Sequence, residues 1–301
     1  MKPVSLEQVR RKIQEMDRIP SIPAIVQPLT ALLRLPPEQV KLEAVLELAS
    51  HDAAISAQCL RMANSPLFGR RKTETLRSAI LALGLKRVEG ILLGCCLTRL
   101  VPADQWAMDA LIFWRHSMGC ALVSQKLAKL IGHPEPDKAY LAGLLHDLGV
   151  LVNTLACNEA FAVCLRDAAQ ERVALDLAEQ KHLGFTHCQT GRMLAEQWSF
   201  PSDVVAAIAH HHRVESAATG QDLVSLVHLS DLLCRLRDLG YGYYEAVGVD
   251  LTADPAWAVL MERYPKLAVT DIARLTMDID GAMDEITTLV DAVFKPQPST
   301  V

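Results

Sequence analysis

Apolar side chains recur every three or four residues along nearly the whole chain and almost nowhere alternate with polar ones, which predicts helices and no sheet. Ser5 opens the first helix as an N-cap, and Val9, Ile13 and Met16 carry its apolar stripe. Pro20 and Pro23 interrupt the pattern, because two prolines so close cannot sit inside a helix. A helix resumes as far as Leu35, Leu35-Pro-Pro-Glu38 breaks it, and residues 40–50 and 53–63 follow, the latter started by His51-Asp52 and stopped by Asn64-Ser65-Pro66. Residues 68–72 form a loop. Residues 75–83 and 85–97 then read as two helices hinged at Gly84, where glycine can take a positive φ.

Val101-Pro-Ala-Asp104 marks a boundary, with Asp104 expected to cap a long helix carrying Trp114, His116 and Ser117. Beyond it, helices are expected around 136–156, 158–169, 173–183, 186–197, 202–213, 219–238 and 280–294, with 240–245 and 254–264 as a less regular insertion. The chain is therefore expected to be all-α. Its parts are an N-terminal helical portion (1–102), a second helical portion (103–294) and a disordered tail (295–301).

At 301 residues, 50% hydrophobic and 22% charged, the chain has ample material for a core. Its eight cysteines fall on apolar helical faces without a Cys-x-x-Cys pair, so they are expected to be reduced thiols of a cytoplasmic protein. Charges break the longest apolar windows, such as 79–97, so no membrane anchor is expected. The net charge of −5 conceals an asymmetry: residues 1–100 carry 15 basic and 9 acidic side chains, the remainder 15 and 26. An acidic chain without an aromatic-interleaved basic stripe argues against nucleic-acid binding. The positive first third, densest at Arg70, Arg71 and Lys72, suits an acidic protein partner instead.

Of ten histidines, seven lie between 140 and 231 (146, 182, 187, 210, 211, 212 and 228), and His116 sits just upstream. His146-Asp147 stands inside an apolar run, and both side chains can reach inward at a helix end to bridge metals, while Gly149 lets another segment approach closely. His187 precedes Gly191 by four residues, three histidines run consecutively at 210–212, and Asp231 follows His228 on nearly the same helical face. Imidazole nitrogen and carboxylate oxygen from several helices suit iron, manganese, zinc or nickel, one ion or two.

His116, His146-Asp147 and Asp231 resemble the H…HD…D pattern of the HD superfamily of metal-dependent phosphohydrolases, and His187 with His211-His212 is similar to the second-metal histidines of its HD-GYP branch. Ile19-Pro-Ser-Ile-Pro23, Asp52 with Met62-Ala-Asn-Ser65, Ala79-Ile80 with Leu83-Gly84, Trp114-Arg-His-Ser117, 143–149, Glu179 with Gly184, Trp198 with Pro201 and Ile208 resemble, in order, the HDOD domain over about residues 10–240. The resemblance implies an N-terminal helical subdomain packed on an HD-like helical subdomain in a bacterial signalling protein.

Val150 stands where catalytic HD-GYP proteins have a lysine, and no Gly-Tyr-Pro loop follows His212. The first expectation is thus a non-catalytic regulatory module acting through a protein partner. The alternative is a phosphohydrolase acting on a nucleotide or phosphate ester, with His116, His146, Asp147 and Asp231 on a primary metal, Asp147 bridging, and His187, His211 and His212 completing a second.

Overall fold

Helices supply all the α- or β-type structure among the described residues, as the 3.6-residue spacing predicts. The computed structural model describes residues 4–16, 28–29, 31–32, 35, 39–50, 53–65, 72–98, 101–237, 239–241, 250–269 and 271–294. The Ile19–Pro23 stretch, residues 36–38 of the second proline break, His51-Asp52, Arg70, Arg71 and the 295–301 tail lie outside them.

Helix α1 (Leu6–Met16) begins where the Ser5 backbone N–H donates to Gln8 Oε1, and it buries Val9 and Ile13. After α2 (Leu42–Ser50), α3 (Ala53–Ala63) ends at Asn64, whose side chain bonds Leu60 O and the Thr73 backbone. The expected hinge separates α4 (Leu76–Leu83) from α5 (Leu85–Thr98), and Gly84 takes φ 86°.

The long helix α6 (Ala110–Ile131) corrects one expectation. Asp104 lies in a short 3₁₀ turn, and Asp109 is the cap, its Oδ1 accepting from Leu111 N at 2.9 Å. Helix α7 (Pro136–Leu145) stops at His146 and α8 (Leu148–Glu171) starts beyond Asp147, so the single helix expected over 136–156 is broken in two. The break expected near residue 157 is only a kink at Cys157 within α8. Then follow α9 (Leu175–His182), α10 (His187–Gln197), α11 (Ser202–His210) and α12 (Gln221–Arg235). Residues 254–264, expected to be irregular, contain a capped helix, α13 (Pro255–Arg263), with Asp254 accepting from Ala256 N. Helix α14 (Ile272–Phe294) starts eight residues before its expected position.

Helix α6 packs on α7, α12 and α14, while α8 packs on α9, α10 and α1. Three glycines bring these layers to backbone contact. A Cβ on Gly143 would lie 2.6 Å from Cys120 O, so α7 rides directly on α6. Gly149 and Gly191 face each other, so α8 and α10 cross with no side chain between. One continuous apolar core runs from Val9 to Leu289. The α7–α8 stretch, residues 136–171, is long and apolar enough by composition to cross a membrane, which amends the sequence expectation. In the fold it is mostly buried core, interrupted at His146-Asp147.

Candidate metal centre

The turn between α7 and α8 holds Asp147 with its two oxygens facing opposite ways. Around Oδ2 stand His116 Nε2 at 3.4 Å and His146 Nε2 at 3.3 Å; His116 Nε2 is 3.1 Å from His146 Nε2 and 3.2 Å from Asp231 Oδ1. Around Oδ1 stand His187 Nε2 at 3.3 Å and His211 Nε2 at 3.5 Å, with His187 Nε2 3.3 Å from His211 Nε2 and 3.2 Å from His212 Nε2. Donor atoms bound at about 2.0–2.2 Å around one tetrahedral ion stand roughly 3.3 Å apart. The pairs named in each half have about that spacing, and Asp147 joins the two halves.

Four of the rings, His116, His146, His187 and His211, are aimed by their other nitrogen. His116 Nδ1 donates to Leu239 O at 2.6 Å, and His146 Nδ1 to Gly143 O at 2.8 Å. His211 Nδ1 reaches two carbonyls in the last turn of α11, Ala207 O at 3.2 Å and Ile208 O at 3.1 Å. His187 opens α10, and Glu179 Oε2 accepts both its backbone N–H (2.8 Å) and its Nδ1–H (2.7 Å). A carbonyl only accepts, so Nδ1 carries the proton and Nε2 presents a lone pair inward. Lone pairs facing each other at hydrogen-bond distance repel unless a cation or a shared proton lies between them. Asp231 Oδ2 adds a buried carboxylate oxygen with no hydrogen-bond partner. The residues therefore fit one or two divalent ions.

The electrostatics agree. Burial alone would lower the pKa of His116, but hydrogen bonds to Asp147 and Asp231 and their charge outweigh it and hold the ring up at about 10. His211 is likewise raised to about 10 against its burial, by the Cys188 thiol and Asp147. Burial depresses His146, so a protonated ring faces a neutral one in the metal-free protein. Asp147 and Asp231 sit well below the usual carboxylate range: against the cost of burial, His146 with its neighbouring imidazoles lowers the first and Arg235 the second.

All seven sequence-predicted ligand residues converge here, and His116, His146, Asp147, His187, His211 and Asp231 are at most 3% exposed. Of the predicted docking residues, only Lys72 is described, and it is exposed. His228 stays outside the cluster, bonding His211 O and Asp254.

Five further residues belong to the setting. Cys120 Sγ lies 3.7 Å from His116 Nε2, and Cys188 Sγ 3.9 Å from His211 Nε2. Burial pushes the Cys188 thiol up, but His211 and His187 more than offset it, to about 7. Cys120 is four residues from His116 and Arg235 four from Asp231, so helical spacing is the signal that marks them. Arg235 Nε donates to Asp231 Oδ1 at 3.0 Å. Tyr241 donates to Asp147 Oδ2 at 2.5 Å across 94 residues, a contact no local pattern reveals. Glu179 is fully buried and held in turn by Asn153, which accepts from Thr190. Glu179→Gln is expected to weaken metal binding in the His187 half by roughly 10–100-fold while leaving the fold intact. Metal titration followed by calorimetry checks this, and an unchanged affinity would show that Glu179 only caps α10.

The HDOD domain pattern matches residues 19–214 of this chain. An HDOD domain protein of unknown function from Geobacter sulfurreducens shares 26% identity and superimposes with a TM-score of 0.77, covering 97% of this chain and 100% of that one. A candidate phosphohydrolase from Shewanella amazonensis SB2B has the same fold at 21% identity and a TM-score of 0.68, covering 94% and 97% of the two chains. An uncharacterized protein of Treponema pallidum (strain Nichols) is 26% identical over 239 residues, 77% of this chain, which spans 45% of that relative's length. The family pattern covers well over half the chain, the helical fold agrees, and the metal-type histidines stand where the motifs place them; the chain belongs to the HDOD domain family.

Proposed function

We propose that this HDOD protein is a signalling module that holds divalent transition metal in its buried His/Asp centre and acts through a protein partner rather than by turnover. The observation that carries the reading is enclosure: the ligand atoms converge with metal spacing, yet six of the seven ligand residues are at most 3% exposed and Tyr241 covers the bridging carboxylate. A turnover site needs room for substrate beside the metals. The basic excess of residues 1–100, with Lys72 exposed, supports an acidic protein surface as the partner.

Protein purified without chelator is expected to carry iron, manganese, zinc or nickel and to leave nucleotide and simple phosphodiesters unhydrolysed. Charge reversal at Arg70, Arg71 and Lys72 is expected to abolish partner capture. Metal-dependent hydrolysis sinks the first claim, and unimpaired capture sinks the second.

The completeness of both ligand halves favours a second reading, a metal-dependent phosphohydrolase. Bound metals would there acidify water and offset charge on the phosphoryl oxygens, with His116, His146, Asp147 and Asp231 holding one ion and Asp147, His187, His211 and His212 the other.

A further inference from the structure

We propose that Tyr241 decides what the metal centre accepts besides cations: its phenol fills the place beside Asp147 that an oxyanion such as phosphate would need. The proposal rests on the metal-centre reading above. Residues 239–241 follow α12 as a strap tied at both ends to the ligands themselves. Leu239 O accepts from His116 Nδ1 at 2.6 Å, and the Tyr241 hydroxyl donates to Asp147 Oδ2 at 2.5 Å.

Packing holds the strap in that position. The Leu239 N–H donates to Cys234 O at 3.0 Å, and its side chain lies against Gly119, where an added Cβ would stand 3.1 Å from Leu239 Cδ1. The Tyr241 ring stacks parallel to Phe113 at 6.4 Å and meets the His116 ring edge-on at 4.9 Å. Asp147 Oδ2 is the oxygen turned to the His116–His146 half, so the phenol stands over that half.

An oxyanion entering there must displace a neutral hydrogen-bond donor and put negative charge beside a carboxylate, which is unfavourable twice over. A cation meets neither obstacle, since it is drawn in by the two aspartates and the inward lone pairs. Tyr241 thereby separates metal binding, which the centre keeps, from phosphate-ester binding, which it loses.

The test uses the full chain loaded with cobalt(II), whose visible spectrum reports its ligands, titrated with inorganic phosphate. Wild type, Tyr241→Phe and Tyr241→Gly are compared after metal content and far-UV circular dichroism are measured for each. Phosphate is expected to shift the Tyr241→Gly spectrum at concentrations at least roughly tenfold below any that affect wild type. Tyr241→Phe, which keeps the ring and loses the hydroxyl, is expected to lie between them. Cobalt uptake by all three with equal phosphate affinity overturns the role of Tyr241 and leaves the metal centre standing. Cobalt uptake by none overturns the centre and the proposal with it. Uptake by the glycine variant alone would show the phenol obstructing the cation as well, and overturns the separation proposed here.

Discussion

Asp147→Asn is expected to empty the metal centre, lowering bound metal at least roughly tenfold, because one residue serves both halves. An amide has the same shape but one oxygen. Whichever half receives its NH₂ group meets imidazole Nε2 atoms at the 3.3 to 3.5 Å now occupied by a carboxylate oxygen, and the other half receives a neutral acceptor. Elemental analysis measures the loss directly. Thermal unfolding gives a second readout: metal at a hundred times its Kd stabilises a protein by about 2.7 kcal/mol, so chelator should lower the wild-type midpoint and leave the variant's unchanged. Retention of wild-type metal by the variant would remove Asp147 from the ligand set.

Protons compete for the same lone pairs. In the metal-free protein, His116 and His211 are held up at about 10, so a cation arriving at neutral pH displaces protons, and wild-type uptake should tighten as pH rises. The stability these two raised imidazoles contribute is fully present below their ordinary value of 6.5 and is lost as pH rises through about 10. Asp147 contributes in the opposite sense, above its ordinary value of 3.8, fading as pH falls through its depressed value. Asparagine at 147 removes the partner common to both effects.

The elements that local chemistry determines were legible in the sequence. The Ser5 start, the Asn64 stop and the positive φ of Gly84 each follow from one residue's own backbone or capping preference. The residues that cluster at Asp147 were legible because imidazoles and carboxylates are costly in apolar helices and therefore conspicuous there. The break at His146-Asp147 was not, since neither residue forbids a helix. There, His146 bonds back to Gly143 O while Asp147 turns its carboxylate into the cluster rather than onto the N-terminus of α8. Asp104 and Asp109 are chemically equivalent caps five residues apart, and only packing selects between them. Tyr241 was passed over for a related reason: its place opposite Asp147 depends on where α12 ends in space, which no window of sequence records.

Gly149→Ala is expected to be the most damaging alanine substitution among the described glycines. A Cβ at 149 would fall on the His187 carbonyl oxygen, 2.6 Å from the carbonyl carbon and 2.7 Å from Gly191 N, and all three are backbone atoms with no rotamer to change. Relief requires α8 and α10 to separate, so the cost should reach or exceed the roughly 1–3 kcal/mol usual for overpacking. His187 is the first residue of α10, so the same displacement carries its Nε2 away from Asp147 Oδ1 and spoils the second half of the centre. Gly281 is the control: it lies exposed on α14 with nothing within 4 Å of an added Cβ, and Gly281→Ala should stabilise slightly, by up to about 1 kcal/mol, as alanine does in a helix. Urea denaturation with metal analysis of both variants distinguishes the outcomes. A wild-type midpoint and full metal content in Gly149→Ala would mean that α8 and α10 do not cross at these two glycines, and the route by which the fold brings His187 to Asp147 would need another account.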